Sequence, residues 1–231
     1  LQSLDVSLYG ATQETYEQVT GVPGSFKRCL RGIELAMERH IPVSLKSVLL
    51  TLNFHELQAM QALTENLGLK YRYDYSLWPR LDGNLTPLKY QIPDEAALAL
   101  DSQDLQRRDA WLDVDKQFQG IYLRANRVFT CGAAYRSFHV NAAGQASPCM
   151  MVRKPSYNLL EVGFKRTWEM LGLIHTWKRE KHTECETCTI NALCSQCPGW
   201  SLAVFDDFET PVPSTCEFAK KRALIIERII V

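Results

Sequence analysis

Seven of the eight cysteines in this 231-residue chain form one ordered array in its second half. Cys131 is followed by Gly144 and Cys149, then by the run Cys185-x2-Cys188-x5-Cys194-x2-Cys197, and finally by Cys216. Thiolates held on short loops can converge on a metal centre, and a tetrahedral or four-iron centre takes four ligands. Seven cysteines exceed one such centre and are one short of two. The array therefore predicts two metal centres, one of which takes a ligand of another kind.

Disulfides and zinc are the competing interpretations of these cysteines. An even total of eight is compatible with disulfides, but all except Cys29 lie in the last hundred or so residues of a chain that is not small. Two C-x2-C pairs are typical of zinc sites, which usually separate the pairs by roughly a dozen residues or more. Here five residues separate Cys188 from Cys194, and Pro198 follows the last cysteine of the run. That spacing favours iron–sulfur ligation.

In order and spacing, C-x12-G-x4-C, C-x2-C-x5-C-x2-C and a final cysteine, the array resembles the SPASM domain of radical S-adenosylmethionine (SAM) enzymes. Most members have three residues before the fourth cysteine of the run, and this chain has two. The segments Asp5-Val6-Ser7-Leu8-Tyr9-Gly10 and Gly24-Ser25-Phe26 resemble the fourth strand and following helix of the radical SAM partial barrel.

The resemblance implies two auxiliary [4Fe-4S] clusters. Cys131, Cys149 and Cys197 would hold the first, and Cys185, Cys188, Cys194 and Cys216 the second. The open iron of the first would take substrate, a protein ligand such as His182, or another cysteine. SAM and a third [4Fe-4S] cluster would be held mainly by an upstream part, because this sequence has no C-x3-C-x2-C motif. Since the chain starts at Leu1 in strand pattern, we expect a fragment that is inactive alone.

The elements that must position these residues begin with alternating strands and helices, as in parallel α/β proteins. Apolar and polar residues alternate in the first strand, Leu4 to Leu8, and the pattern predicts further strands over 43–52 and 70–77. Helices are predicted between them, over 25–39 and from Asn53 to near Gly68. Three such strands cannot close a barrel. The predicted fold class is α/β: the C-terminal half of a radical SAM partial (β/α)6 barrel, followed by a small cysteine-rich SPASM domain.

The predicted domains are the barrel part over 1–90, a helical connection over 91–127, and the iron–sulfur domain over 128–231. The stretch 80–91 is expected to be irregular and 94–118 helical. A hairpin is predicted from Tyr135 to Cys149 with its turn at 141–144, and helices over 164–177 and 217–230.

Three polar residues are candidates for binding SAM. Ser7 lies on the polar face of the first strand, which should line the barrel, although it could instead hydrogen-bond a neighbour. Thr51 and Asn53 follow the second strand at the edge where parallel sheets bind ligands, and Asn53 could instead cap the next helix. Cys29 belongs to the apolar stripe of its helix and is expected to be a core residue.

The charge balance bears on partners, since Lys+Arg and Asp+Glu number 26 each. No nucleic acid or anionic membrane is expected, and no apolar run approaches the roughly 20 residues of a membrane span. We expect a cytoplasmic protein. The resemblance implies a radical SAM/SPASM oxidoreductase that modifies a peptide or protein and receives electrons from a donor such as ferredoxin or flavodoxin. An enzyme acting on a small molecule and a non-catalytic iron–sulfur or zinc module are the alternatives.

Overall fold

The structure, a computed structural model, describes residues 2–118 and 126–230 of a mixed α/β protein. The chain divides into two compact units. The first comprises Leu1–Trp78 and Leu85–Ala97, and the second comprises Pro79–Asn84 and Leu98–Val231. The predicted domain boundaries stay a prediction, and residues 119–125 of the predicted connection lie outside the described residues.

The first unit contains a parallel three-stranded sheet with helices between its strands. Its elements are β1 (Leu4–Ser7), α1 (Gln13–Thr20), α2 (Ser25–Glu38), β2 (Val43–Val48), α3 (Leu57–Asn66) and β3 (Lys70–Asp74). The strands lie in the order β1-β2-β3, and Leu45 pairs with both Val6 and Tyr71. The predicted α/β class is confirmed, whereas its assignment to a partial barrel stays a prediction.

One face of this sheet is apolar and the other is polar, because side chains alternate along each strand. Leu8 and Leu45 are fully buried, together with Ile33 of α2 and Met60 of α3. Ser47 is also buried, and its hydroxyl donates to the Leu8 carbonyl at 2.5 Å. On the polar face, Arg72 forms an exposed ion pair with Asp5 at 2.7 Å.

Several elements of the first unit differ from the sequence prediction. The helix α1 was not predicted, β2 ends four residues early, and a 3-10 turn, Phe54–Glu56, precedes α3. A second 3-10 helix, Thr86–Tyr90, lies within the stretch predicted to be irregular. The side chain of Asn53 forms three hydrogen bonds to backbone groups, so it closes the turn after β2 and does not cap the helix.

The second unit contains short strands and several helices. They are α5 (Leu105–Phe118), β4 (His139–Val140), β5 (Gln145–Ser147), β6 (Tyr157–Asn158), α6 (Leu159–Val162), α7 (Phe164–Gly172), α8 (Pro198–Phe205) and α9 (Pro213–Ile230). Helix α4 (Asp94–Gln103) precedes them, and Asp104 interrupts the predicted helix 94–118 by accepting the Gln106 and Arg107 amides. The three short strands form one antiparallel sheet.

The core of the second unit is built from loops as much as from regular elements. Phe129, Ala146, Leu171 and Ile174 are nearly inaccessible and belong to one apolar cluster, against which Cys149 packs. A short 3-10 helix, Leu173–Thr176, continues α7. Within the described ranges, no helix is both long enough and apolar enough to cross a bilayer.

Candidate metal centres

Cys131, Cys149 and Cys197 form the first group of cysteines, here called the three-cysteine set. Burial has the largest effect on Cys197 and raises the pKa of its thiol. The backbone N–H groups of Trp200 and Gly199 act in the opposite direction, and the nearby charges of Cys149 and Cys131 raise this pKa further. The net direction is upward. Cys197 thus interacts with two cysteines that are far from it in sequence.

The start of α8 determines where Cys197 lies. Cys197 is the N-cap of this helix and Pro198 its first residue, a position where proline is favoured because its missing N–H needs no partner. The Trp200 and Ser201 N–H groups donate to the Cys197 carbonyl oxygen at 3.0 Å, which fixes the backbone of Cys197 at the start of the helix. The amides of Gly199 and Trp200 lower the pKa of the Cys197 thiol, but the larger effect of burial outweighs them.

Gly199 lets the loop carrying Cys149 approach α8. A Cβ atom added at Gly199 would lie 2.6 Å from Met151 Cβ and 3.2 Å from Val152 Cγ2. The same loop turns back on itself, since the Val152 N–H donates to the Cys149 sulfur at 3.3 Å. The absence of a side chain at position 199 therefore permits the close packing of these two cysteine-bearing segments.

The exposed Cys131 begins a tight loop that is fastened on two sides. The Ala134 N–H approaches the carbonyl oxygens of Ser137 at 2.7 Å and of Pro148 at 3.2 Å. The His175 Nε2 atom lies 2.7 Å from the Ala133 carbonyl oxygen. The contact with Pro148 joins the Cys131 loop to the residue before Cys149.

Four other cysteines form the second group, here called the four-cysteine set, around one cleft of about 440 Å³ including its open mouth. The lining comprises Cys185, Cys188, Cys194 and Cys216, together with Glu184, Ile190, Asn191, Gln196, Ala219 and Lys220. Cys216 lies in the first turns of α9, whereas the other three lie on the preceding loops. The thiols of the cleft therefore come from two segments, because Cys216 lies at least 22 positions after the other three cysteines.

Burial, followed by the charges of Cys194, Cys185, Cys188 and Glu184, raises the pKa of Cys216 to about 11. Negative charges this close to one another oppose ionisation of the thiol. A cationic centre in the cleft reverses this effect, because it favours the thiolate form of every ligand.

Two 3-10 turns hold the loops of the four-cysteine set. The first, Glu184–Glu186, contains Cys185, and the second, Asn191–Leu193, precedes Cys194. The Asn191 amide donates to the Cys188 carbonyl at 2.5 Å. Arg222, buried in α9, donates to the Leu193 carbonyl at 2.8 Å, which ties the second turn to the helix that carries Cys216.

Gln196 lies between the two sets in sequence and contacts elements of both. Its Nε2 donates to the hydroxyl of Ser201 in α8 at 2.9 Å. Its Oε1 accepts from the Val212 N–H at 3.1 Å and from the Thr215 hydroxyl. Thr215 directly precedes Cys216, so one buried side chain connects the segments that carry Cys197 and Cys216.

The donor chemistry of the four-cysteine set fits an iron–sulfur cluster. Four thiols and no histidine line the described part of the cleft. Across residues 2–118 and 126–230, no three His, Cys, Asp or Glu side chains are arranged to hold a single metal ion.

The three candidate SAM-binding residues lie in the first unit. Ser7 is half-buried and pairs with Lys46 on the polar face of the sheet. Thr51 is exposed, and its N–H donates to the Tyr90 carbonyl at 2.9 Å. Asn53 is fully buried and donates to the carbonyls of Tyr9 and Val48, so it holds the ends of β1 and β2 together. Their contact with SAM stays a prediction.

Several residues of these sites carried no signal in the sequence. Gln196, Asn191 and Gly199 are polar or small residues whose roles depend on partners 3 to 19 residues away or on a separate loop. His182, a predicted alternative ligand, has a side chain that is 98% exposed and lies 3.3 Å from Glu186. Cys29 is half-buried in α2, and its thiol lies 4.0 Å from the Ser7 carbonyl oxygen.

Comparison with known proteins gives one curated relative, the AdoMet-dependent heme synthase of Methanosarcina barkeri. The two are 22% identical over an alignment that covers 90% of this chain and 65% of the relative. The chain thus spans about two thirds of the length of that protein. No protein-family model and no solved structure matches the chain. The similarity supports a relation to an enzyme that depends on S-adenosylmethionine.

Proposed function

We propose that this chain belongs to a radical SAM oxidoreductase and carries two auxiliary [4Fe-4S] clusters. The observation that carries the proposal is the interleaving of the two cysteine sets. The Ala134–Pro148 hydrogen bond joins the loops of Cys131 and Cys149, and Gly199, two residues after Cys197, packs against the Cys149 loop. The charges of Cys131 and Cys149 also raise the pKa of Cys197. Cys216 joins Cys185, Cys188 and Cys194 around the cleft. This division agrees with the ligand sets that the resemblance to SPASM domains implies.

The interleaving supports two centres over one. A pair of C-x2-C motifs that bound a single zinc ion would bring Cys197 together with Cys185, Cys188 and Cys194. The lining of the cleft contains Cys216 in that place. The three-cysteine set would leave one iron without a cysteine ligand, which provides a position for substrate or another donor.

The chain's own residues would hold and tune these centres. Clusters of this kind supply electron transfer, and an open iron also supplies a binding position. The first-turn amides of α8 would stabilise charge at Cys197, and hydrogen bonds to a ligand sulfur affect cluster potential. Cys185 is buried, whereas Cys188, Cys194 and Cys216 are partly exposed.

The proposed cofactors also include SAM and a third [4Fe-4S] cluster. This sequence lacks the C-x3-C-x2-C spacing, so their main ligands would come from residues outside it. Ser7, Thr51 and Asn53 are proposed to contribute to the SAM site from the end of the parallel sheet, where α/β proteins bind ligands. Reducing electrons would come from a donor such as ferredoxin or flavodoxin.

Two substrate classes are proposed, and separate observations favour them. The resemblance to SPASM enzymes predicts a peptide or protein whose side chains are oxidised or crosslinked. The relative is named a heme synthase, and heme is a small molecule, so the comparison favours the second class. Incubating the complete enzyme with SAM, a reductant and each substrate class would distinguish them by the mass change of the product.

The experiment that tests the proposal is metal analysis of the chain purified without oxygen. We expect about eight iron and about eight sulfide per chain and a brown protein, since two four-iron clusters contain that number. A colourless protein with one or two zinc ions would contradict the proposal and support a structural zinc module.

A further inference from the structure

Another cleft lies in the second unit, and none of the described residues that line it is a cysteine. It is lined by Asn141, Gln145, Ser147, Arg153 and Ser156 and measures about 560 Å³ including its open mouth. All five side chains are polar, and none is acidic. The cleft therefore has one formal positive charge and no carboxylate among the described residues that line it.

Arg153 has a donor that the described residues do not satisfy. Its Nε atom is buried, and no hydrogen-bond partner lies within reach in the described ranges. Guanidinium groups stay charged at all physiological pH values, and a buried donor without an acceptor is costly. An acceptor supplied by a ligand would remove that cost.

Asn141 adds an uncharged donor to the cleft. Ser147 of β5 is 3% exposed, and its hydroxyl donates to the Cys149 carbonyl at 3.4 Å, so it forms a fixed part of the cleft wall. The Oδ1 atom of Asn141 accepts the N–H groups of Ala143 and Gln145 at 2.9 and 3.0 Å. Because its oxygen is used within the turn, Asn141 has its amino group to offer a ligand. Together, these groups suit an acceptor-rich, negatively charged partner.

We propose that this cleft binds a carboxylate or phosphate group through Arg153. The planar guanidinium presents paired donors that match the two oxygens of either group. The amino group of Asn141 would add an uncharged donor to the oxygens. A neutral ligand would leave the charge of Arg153 without compensation, so the cleft favours an oxyanion.

The position of the cleft along the chain suggests what the oxyanion belongs to. Ser147 precedes Cys149 by two residues and Arg153 follows it by four, and the Ser147 hydroxyl contacts the Cys149 carbonyl at 3.4 Å. If the proposed function holds, an acid group anchored here is part of a substrate held beside the three-cysteine set. The binding site itself does not depend on that function.

Calorimetric titration of the full chain, purified without oxygen, tests the site. The probes are succinate, inorganic phosphate and the neutral control succinamide. We expect succinate, phosphate or both to bind with a Kd of about 1 mM or tighter and succinamide not to bind. Binding of one anion alone identifies the preferred group. Failure of both anions to bind would overturn the proposal.

Variants assign the binding to Arg153. Arg153→Gln should weaken anion binding at least tenfold. Arg153→Lys keeps the positive charge but lacks the paired N–H donors of the guanidinium, and it should weaken binding less. The control Arg166→Gln alters an exposed arginine of α7 and should leave affinity unchanged. Unchanged affinity in Arg153→Gln would overturn the proposal.

A measurement on the unaltered chain guards against a variant that fails to fold. Phenylglyoxal modifies accessible arginines, and mass spectrometry locates each modification. Succinate or phosphate should slow modification of Arg153 selectively, whereas equal slowing of all arginines would overturn the site. Because neither binding nor protection requires iron, a zinc-containing chain that still binds anions through Arg153 would refute the proposed function alone.

Discussion

A methyl group at position 199 has no room between α8 and the Cys149 loop. Its carbon would lie 2.6 Å from Met151 Cβ, and overpacking of this kind costs about 1–3 kcal/mol. Gly199→Ala should therefore push the Cys149 loop away from Cys197 and lower iron retention during gel filtration. The loss should be confined to the three-cysteine set and not exceed about half of the total iron.

Gly172→Ala is the matched control for this variant. Gly172 lies in α7, and a Cβ atom there would meet no neighbour closer than 3.7 Å. This variant should keep its full iron content. If both variants retain iron equally, the close packing at Gly199 has no role in holding the site.

Gln196 should affect both cysteine sets, because its amide bonds to segments of both. Gln196→Met keeps the length of the side chain but removes the acceptor of the Val212 N–H, at a cost of about 1–3 kcal/mol, while the Thr215 hydroxyl keeps its hydrogen bond to the Val212 carbonyl at 2.7 Å. Electron paramagnetic resonance of the reduced chain should show altered signals from both clusters. The exposed Gln106→Met is the control, and altered signals from only one cluster would refute the bridging role.

The cysteine array could be recognised in the sequence because the order and spacing of its residues are a local pattern, and the role of these cysteines as ligands stays a prediction. The environments of Gly199, Gln196 and Arg153 could not be predicted from the sequence. Gly199 packs against the Cys149 loop, Gln196 binds Thr215, and Arg153 lines a cleft without a carboxylate among its described lining residues. No local sequence pattern encodes such contacts.

At the scale of elements, Glu56 fastens the start of α1 to the turn before α3. Its carboxylate accepts the Ala11 N–H at 2.7 Å, the Thr12 N–H at 3.2 Å, and both the Thr12 and Thr15 hydroxyls at 2.6 Å. Partial burial raises the pKa of Glu56, but these hydrogen bonds outweigh it and hold the pKa below its ordinary value.

A carboxyl group with a lowered pKa stabilises the fold above its unfolded-state pKa, and this contribution is lost as the pH falls through the lower folded-state value. Glu56→Gln should therefore speed hydrogen exchange of residues 11–16 at pH 7, by up to about tenfold. The difference should shrink as the pH is lowered below the folded-state value. The exposed Glu14→Gln is the control, and equal exchange in both variants would contradict the role of Glu56.

The three strands of the first unit and the helices α2 and α3 could be predicted from the sequence. Each has one buried face, so its apolar residues recur with the period of a strand or a helix. Helix α1 escaped detection because its sequence, QETYEQVT, has no apolar stripe and its start depends on the Thr12 cap and on distant Glu56. Helix α8 has only eight residues, PGWSLAVF, and no separation of apolar and polar faces, so no helical pattern marks it in the sequence.

For the whole molecule, the two units should respond differently to loss of metal. The first unit has a core of apolar side chains around its sheet. If the proposed clusters are present, the second unit would also depend on metal ligation for part of its folding energy. Removing iron with a chelator should increase hydrogen exchange of residues 128–226 severalfold. Residues 4–74 should exchange at the same rate as before, and a uniform increase would refute this difference.

Single ligand variants should behave in the same way. Cys185→Ala or Cys216→Ala should lose roughly half the iron and become sensitive to protease in the second unit. Cys29→Ala, outside both sets, should retain iron in full. Full iron in either ligand variant would remove that cysteine from the four-cysteine set.

The most direct test of the two interleaved sites is iron analysis of a chain in which Cys131, Cys149 and Cys197 are all replaced by serine. If Cys197 belongs with Cys131 and Cys149, the four-cysteine set stays complete, and about four iron and four sulfide per chain should remain. If Cys197 instead serves the same centre as Cys185, Cys188 and Cys194, that centre is lost as well. A variant with almost no iron would contradict the account.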